Sequence, residues 1–210
     1  MQKIVPAILT DSAVDLAKKL KILAGNTQWV QIDIQDGLFV PNSSVELSQL
    51  ERVSESFDYE IHLMVQNPAQ YFDACQSVGA KRVIFHIEAA LTPERMLQEM
   101  ARYSFEWGLA LNPETPLEGA KRWKQQIDSF LLLSVYPGKQ GNEFLPAVLE
   151  KMKALKMFSP ERLLGMDGGI NAHNMRQAFE AGADYVVVGS SIWKSKDPIA
   201  ALRKLEAMVQ

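Results

Sequence analysis

Two aspartates, Asp33 and Asp167, each stand where an apolar, strand-like run breaks into a glycine turn. The two segments, residues 32–37 and 166–170, lie more than half the chain apart. Because a buried carboxylate loses much of its hydration, a protein that keeps two of them at the ends of strands is expected to use both. Paired carboxylates of this kind are typical of proton transfer, of divalent metal binding, or of both.

His62 lies in a third strand-like run, and we expect it to reach the same place as the two aspartates. An imidazole with two carboxylates suits zinc, manganese or iron, and the aspartates can also act as general base and general acid. A histidine in a strand is as often a hydrogen-bonded core residue, so both interpretations of His62 stay open. Asp36, which precedes Gly37, is expected to close the turn.

Three glycine-rich turns follow strand-like runs, and glycine there lets backbone N–H groups approach an anion closely. The start of a helix after such a turn adds a positive dipole end, so we predict that these turns bind a phosphate ester. The structural alternative is that tight turns between strand and helix simply favour glycine. The predicted phosphate-binding residues are Gly138, Lys139, Gln140, Gly141, Gly168, Gly169, Gly189 and Ser190.

The elements that must position these residues repeat regularly. Eight short β-rich runs alternate with segments of helical spacing. The runs are residues 4–9, 29–34, 60–65, 82–87, 107–111, 129–135, 162–166 and 185–188. Their consecutive apolar residues indicate parallel strands covered on both faces. We therefore predict an α/β fold, a single (β/α)8 TIM barrel domain over residues 1–210, with its site at the carboxyl ends of the strands. A doubly wound open sheet is the alternative.

The composition limits the partners. The chain has 47% hydrophobic and 22% charged residues, as globular proteins do, and no apolar run long enough to span a membrane. The net charge of −3 and the scattered Lys and Arg residues argue against a nucleic-acid partner. The amino terminus has no signal-peptide pattern, so we expect a cytoplasmic protein. Cys75, the single cysteine, excludes an intrachain disulfide and is expected in the core.

These motifs, taken in order, resemble the ribulose-phosphate 3-epimerases, a (β/α)8 family that interconverts D-ribulose 5-phosphate and D-xylulose 5-phosphate in the pentose phosphate pathway. The matching segments are residues 6–9, 32–42, 62–65, 85–89, 109–116, 134–138, 167–170 and 181–190. The resemblance implies epimerisation at C3 by two bases through an enediolate. In this scheme Asp33 removes the proton on one face and Asp167 returns a proton on the other. Members of this family commonly assemble from several copies, so the resemblance also implies a homo-oligomer.

The resemblance also implies a divalent metal held by these two aspartates and two histidines, one of which matches His62. Gln31 stands where the family has the other histidine, two residues before the catalytic aspartate. An amide oxygen is a poor ligand for zinc. We therefore expect a divalent metal, zinc, manganese or iron, to be bound more weakly than in the family or not at all.

The substrate pocket departs from the family as well. The differences are Ala7 for a serine, Gln35 and Leu133 for two methionines, and Lys139 and Gln140 for an aromatic residue and a glycine. Met64 matches a methionine that covers the reacting carbons, and the expected substrate-binding residues are Gln31, His62 and Met64. Three functions stay open: this epimerase reaction, an epimerase or isomerase reaction on a different ketose phosphate, and phosphosugar binding without catalysis.

Overall fold

A computed structural model of the protein describes residues 3–52, 56–89, 92–137 and 142–209. The strands are β1 (Ile4–Ile8), β2 (Trp29–Gln35), β3 (Asp58–Met64), β4 (Arg82–His86), β5 (Glu106–Leu111), β6 (Ser129–Leu133), β7 (Leu163–Asp167) and β8 (Tyr185–Val188). Each strand pairs in parallel with the next, and β8 pairs with β1, where Val186 lies opposite Ile4. The sheet is a closed barrel, so the predicted TIM barrel is confirmed and the open sheet is excluded.

Helices surround this barrel. Within the described ranges they are α1 (Ala13–Leu23), α2 (Phe72–Ser77), α3 (Pro93–Met100), α4 (Val148–Phe158), α5 (Met175–Glu180), α6 (Ser190–Trp193) and α7 (Pro198–Ala207). Short 3-10 helical turns occur at Leu47–Arg52, Pro68–Tyr71, Ile87–Ala89 and Leu117–Arg122. Ser12 caps α1 by accepting a hydrogen bond from the Asp15 N–H at 3.3 Å. In the part of the chain that the structure describes, no helix is long and apolar enough to cross a membrane.

The buried apolar side chains form two groups, because every strand is covered on both faces. The smaller group fills the inside of the barrel and consists of Val5, Ala7, Ile84, Ala110, Leu131, Leu133, Tyr185 and Val187. The larger group lies between the strands and the surrounding helices. Cys75 belongs to the larger group and is fully buried, as expected from the sequence.

A buried ion cluster closes the amino-terminal end of the barrel. Arg82 Nη1 donates to Glu60 Oε2 at 2.6 Å, and the Tyr185 hydroxyl donates to the same oxygen at 3.1 Å. The guanidinium also contacts Glu106 and lies 4.7 Å from the ring centre of Trp29. Charges this deeply buried are tolerated because they are paired and hydrogen-bonded. We call Glu60, Arg82 and Tyr185 the barrel floor; it leaves the opposite end open for a site.

Candidate active site

The structure brings Asp33, His62 and Asp167 together at the carboxyl end of the barrel. Asp33 on β2 lies opposite His62 on β3, and Asp167 is the last residue of β7. His62 Nδ1 lies 3.1 Å from Asp33 Oδ1 and 3.5 Å from Asp167 Oδ2. Strand alternation fixes this arrangement, since every second side chain of a strand points into the barrel.

The side chain of Gln31 lies between the two carboxylates. Gln31 precedes Asp33 by two residues on β2 and therefore faces the same way. Its Nε2 donates to Asp33 Oδ1 at 2.7 Å and to Asp167 Oδ2 at 2.9 Å. One neutral amide thus uses both of its N–H groups on the two aspartates. Its Oε1 is buried and has no hydrogen-bond partner among the residues that the structure describes.

Burial and nearby charges shift the ionisation of this cluster. Burial and the negative charge of Asp33 raise the pKa of Asp167 to about 7. Burial opposes protonation of His62, but the hydrogen bond to Asp33 and the charges of both aspartates outweigh it and raise the pKa of the imidazole. Two carboxylates this close share a site at low cost only when a proton or a cation lies between them. The cluster therefore suits either proton exchange or a cation.

A metal ion could be held by the same three residues. One ligand atom from each of Asp33, His62 and Asp167 lies within 4.8 Å of the other two. Two carboxylates and an imidazole are ligands for zinc, manganese and iron. Gln31 presents its Nε2 to these carboxylates, so its buried Oε1 could join the triad as a ligand only after the amide turns over. These ligand atoms fit a divalent ion. The amide of Gln31 stands where the ligand set implied by the resemblance has a second imidazole.

Two further residues extend the cluster toward the surface. His62 Nε2 lies 2.9 Å from His86 Nε2, and His86 Nδ1 lies 3.2 Å from Glu88 Oε2. Burial lowers the pKa of His86 to about 4. Although burial opposes the ionisation of Glu88, hydrogen bonds from His86, Thr115 and the Asn112 N–H hold its pKa at about 2. Glu88 is therefore a carboxylate at neutral pH, linked to the reaction centre through two imidazoles.

A cleft opens above the cluster. The predicted phosphate-binding residues that line it are Gly168, Gly169, Gly189 and Ser190. At Gly169 the backbone requires glycine, since φ is +63° and an added Cβ would lie 2.8 Å from the Phe144 backbone nitrogen. Asn174 Nδ2 donates to the Gly169 carbonyl at 3.0 Å and helps to fix this turn.

The other predicted phosphate-binding residues, Gly138, Lys139, Gln140 and Gly141, lie outside the described residues. The residues on either side of them, Pro137 and Asn142, both line the cleft.

The remaining residues singled out from the sequence fall in two places. The cleft is also lined by Ala7, Gln35, Met64 and Leu133. Asp36 closes its turn, because Oδ1 accepts hydrogen bonds from the N–H groups of Leu38 and Phe39, both at 2.9 Å.

The bridging amide of Gln31 and the contact between His62 and His86 are not predicted from the sequence. Strand alternation carries a signal for the second contact, since Ile84 lies opposite His62 and His86 follows Ile84 by two residues on β4. No comparable signal exists for the amide, because its two bonds depend on a side-chain conformation and on a strand far along the chain.

Known proteins are similar to this chain over nearly its whole length. The model of the Ribulose-phosphate 3 epimerase family matches residues 3–193. Ribulose-phosphate 3-epimerase of Helicobacter pylori is 33% identical, with 99% of this chain and 98% of that protein covered. The Mycobacterium bovis enzyme is 35% identical, with 96% and 90% covered, and the Bacillus subtilis enzyme is 31% identical, with 98% of each covered.

Among solved structures, orotidine 5'-phosphate decarboxylase from Pyrococcus horikoshii OT3 is similar with a TM-score of 0.69 at 15% identity, covering 98% of both chains. At that identity the likeness shows the barrel fold alone. The family match and the near full-length relatives show more: this chain belongs to the ribulose-phosphate 3-epimerase family and is an epimerase, that is, an isomerase.

Proposed function

We propose that the protein interconverts D-ribulose 5-phosphate and D-xylulose 5-phosphate. The observation that carries this proposal is the pair of carboxylates, Asp33 and Asp167, which come from well-separated strands and hydrogen-bond to one amide. Inversion at C3 needs a base on one face of the substrate and an acid on the other. Two carboxylates at the base of one cleft meet that requirement.

In the proposed reaction Asp33 removes the C3 proton, which leaves an enediolate, and Asp167 gives a proton to the opposite face. The raised pKa of Asp167 suits a group that holds a proton at neutral pH and can donate it. His62 orients Asp33 through their 3.1 Å contact. In the reverse direction the two aspartates exchange roles.

Asp33, His62 and Asp167 would hold the divalent ion, with Gln31 contributing its amide oxygen. Oxygen-rich donor sets suit manganese better than zinc, so we propose manganese as the preferred ion. When bound, such an ion supplies Lewis-acid stabilisation of the negative charge that develops on the substrate.

The phosphate is proposed to bind at the far end of the cleft. The turn at Gly168 and Gly169 and the start of α6 at Gly189 and Ser190 both line the cleft. Backbone N–H groups in such glycine turns suit an anion. Residues 138–141 would complete the phosphate site, while Met64 contacts the sugar.

A second candidate substrate, another ketose phosphate, is favoured by Gln35. This side chain is buried in the cleft wall, and its Nε2 lies 3.7 Å from Met64 Sδ, a weak hydrogen-bond partner. The Gln35 N–H group would therefore form a stronger hydrogen bond with a substrate hydroxyl than with that sulfur. A panel of ketose phosphates with matched kinetics would show whether Gln35 selects a different sugar.

We also propose that residues 1–210 form one domain that works in the cytoplasm as a homo-oligomer. Size-exclusion chromatography with light scattering measures the number of copies directly.

The roles of the two aspartates are tested by substitution. We expect Asp33→Asn and Asp167→Asn each to lower turnover of D-ribulose 5-phosphate at least about 100-fold, because each removes one proton-transfer group. Asp11→Asn is a matched control, since Asp11 is exposed in the loop after β1, and it should keep wild-type turnover. Either site variant retaining full activity would rule out the two-base scheme.

A further inference from the structure

We propose that Glu88 is a positioning residue which, through His86, keeps a proton on His62 Nε2 and so leaves His62 Nδ1 as the nitrogen available to a proton or a cation in the reaction centre. The inference rests on the proposed function for the use made of His62. The positions of the ring protons themselves can be measured without any turnover.

The first step is the direction of the hydrogen bond at Glu88. Its Oε1 accepts from the Asn112 N–H at 2.9 Å and from the Thr115 hydroxyl. Its Oε2 lies 3.2 Å from His86 Nδ1. A carboxylate can only accept hydrogen bonds, so the His86 Nδ1 must carry the proton.

The second step is the contact between the two imidazoles. A 2.9 Å separation between His62 Nε2 and His86 Nε2 has room for one proton. His86 already carries its proton on Nδ1, so the shared proton belongs to His62 and His86 Nε2 accepts it. His62 Nδ1, on the opposite side of the ring, faces Asp33 and Asp167.

The packing around the two imidazoles keeps this proton order, that is, which ring nitrogens carry a proton, fixed. His62 and His86 are both fully buried, and the ring of Phe39 lies 4.8 Å from the ring of His86. The two imidazoles stack with their centres 5.1 Å apart. Because the rings are packed, the proton order is set by hydrogen-bond partners and not by solvent. Outer partners of this kind orient the ligating histidines of metal sites in general.

Glu88→Gln reverses the proposed order with little change in shape. The Asn112 N–H can only donate, so the new amide must turn its oxygen toward Asn112 and its NH₂ group toward His86 Nδ1. His86 must then carry its proton on Nε2 and donate it to His62 Nε2. The remaining proton of His62 moves to Nδ1, where it blocks a cation.

The test is nitrogen-15 NMR of the full chain labelled at histidine, which has only three such residues, His62, His86 and His173. His173→Gln and His86→Asn variants assign the signals. In the wild type we expect protonated Nδ1 and bare Nε2 in His86, with protonated Nε2 in His62. Protonated Nε2 in wild-type His86 would overturn the proposal, and this result does not depend on the folding of any variant.

The same spectrum of Glu88→Gln should show the exchanged pattern, with bare Nδ1 in His86 and bare Nε2 in His62. Glu114→Gln is the matched control, because Glu114 also accepts a hydrogen bond at this end of the barrel, from the exposed Tyr136 hydroxyl at 2.6 Å. It should leave both rings unchanged. An unchanged pattern in folded Glu88→Gln, or an exchanged pattern in Glu114→Gln, would also contradict the inference.

Calorimetry then links the proton order to cation binding. We expect Glu88→Gln to bind manganese about 10- to 100-fold more weakly than the Glu114→Gln control. Equal affinity in a variant with exchanged protons would overturn the positioning role. The proposed function fails separately: a wild type with the expected protons and no turnover of any ketose phosphate refutes that function and leaves the proton order established.

Discussion

At the scale of single residues, Gln31 is hydrogen-bonded to both aspartates of the site. Its amide donates to both Asp33 and Asp167, so it partly performs the task of a cation. A metal ion must compete with these two hydrogen bonds. It then gains an amide oxygen, which is a weaker partner for zinc than an imidazole.

Gln31→His tests this balance. We expect zinc affinity, measured by calorimetry, to rise at least about tenfold, because a second imidazole joins the carboxylates of Asp33 and Asp167. Gln31→Leu is the control for loss of the bridging amide without a new ligand, and it should not gain zinc affinity. Equal zinc affinity in Gln31→His and the wild type would show that Gln31 does not limit metal binding.

Much of the residue-level site could be predicted from the sequence, and one part could not. Asp33 and Asp167 are recognisable because each ends an apolar run with a charge that is costly to bury. The position of the Gln31 amide depends on how β7 approaches β2 around the closed barrel. No local sequence pattern indicates how closely these two strands approach each other.

At the scale of elements, the turn after β7 connects Asp167 to the glycines that we propose to bind the phosphate. Asp167 ends the strand, and the Ser134 hydroxyl donates to the Gly168 carbonyl at 2.6 Å. The turn is thus tied to the end of β6. Gly169 then passes close to the backbone at Phe144. These contacts hold the turn in one conformation.

Alanine substitutions at two glycines distinguish the cost of steric crowding by the new Cβ from the cost of a positive φ. Gly37 and Gly169 both have positive φ, +75° and +63°, but an added Cβ meets nothing within 4 Å at Gly37 and a backbone nitrogen at 2.8 Å at Gly169. We expect Gly37→Ala to cost about 1 kcal/mol of unfolding free energy in urea. Gly169→Ala should cost at least about 2 kcal/mol more and raise KM for the sugar phosphate. Equal costs would mean that the turn after β7 can move aside.

The strands could be predicted more fully than the segments between them. Runs such as residues 185–188 are apolar at every position, which signals a strand buried on both faces. Among the residues that the structure describes, the helical segments after β2 and β5 are the 3-10 turns Leu47–Arg52 and Leu117–Arg122. Short turns leave no helical periodicity long enough to detect. The bounds of every strand except β8 also differ from the prediction by one or two residues, because strand ends are the least strongly marked in the sequence.

At the scale of the whole molecule, the buried ion cluster that stabilises the barrel and the candidate active site lie at opposite ends of the barrel. The floor formed by Glu60, Arg82 and Tyr185 lies at the amino-terminal end, whereas Asp33 and Asp167 lie at the carboxyl end. The described lining of the cleft includes none of the floor residues. Damage to the floor should therefore affect folding before it affects catalysis.

Arg82→Leu tests this separation. The substitution leaves the fully buried Glu60 without its counter-charge, so we expect a loss of about 3–5 kcal/mol in unfolding free energy. Glu106→Gln removes the half-exposed partner of Arg82 instead and should cost less than about 1 kcal/mol. Below its melting temperature Arg82→Leu should keep the wild-type kcat/KM. A stable Arg82→Leu protein with impaired kcat/KM would show that floor and site are coupled.

The central claim, proton transfer at C3 by Asp33 and Asp167, is tested most directly by proton NMR of the protein with D-ribulose 5-phosphate in heavy water. Zinc, manganese or iron would be added in separate samples. We expect the C3 proton signal to disappear as deuterium enters and D-xylulose 5-phosphate to form, and both changes to be lost in Asp33→Asn. A C3 signal that persists with every metal, and no xylulose 5-phosphate, would contradict the claim.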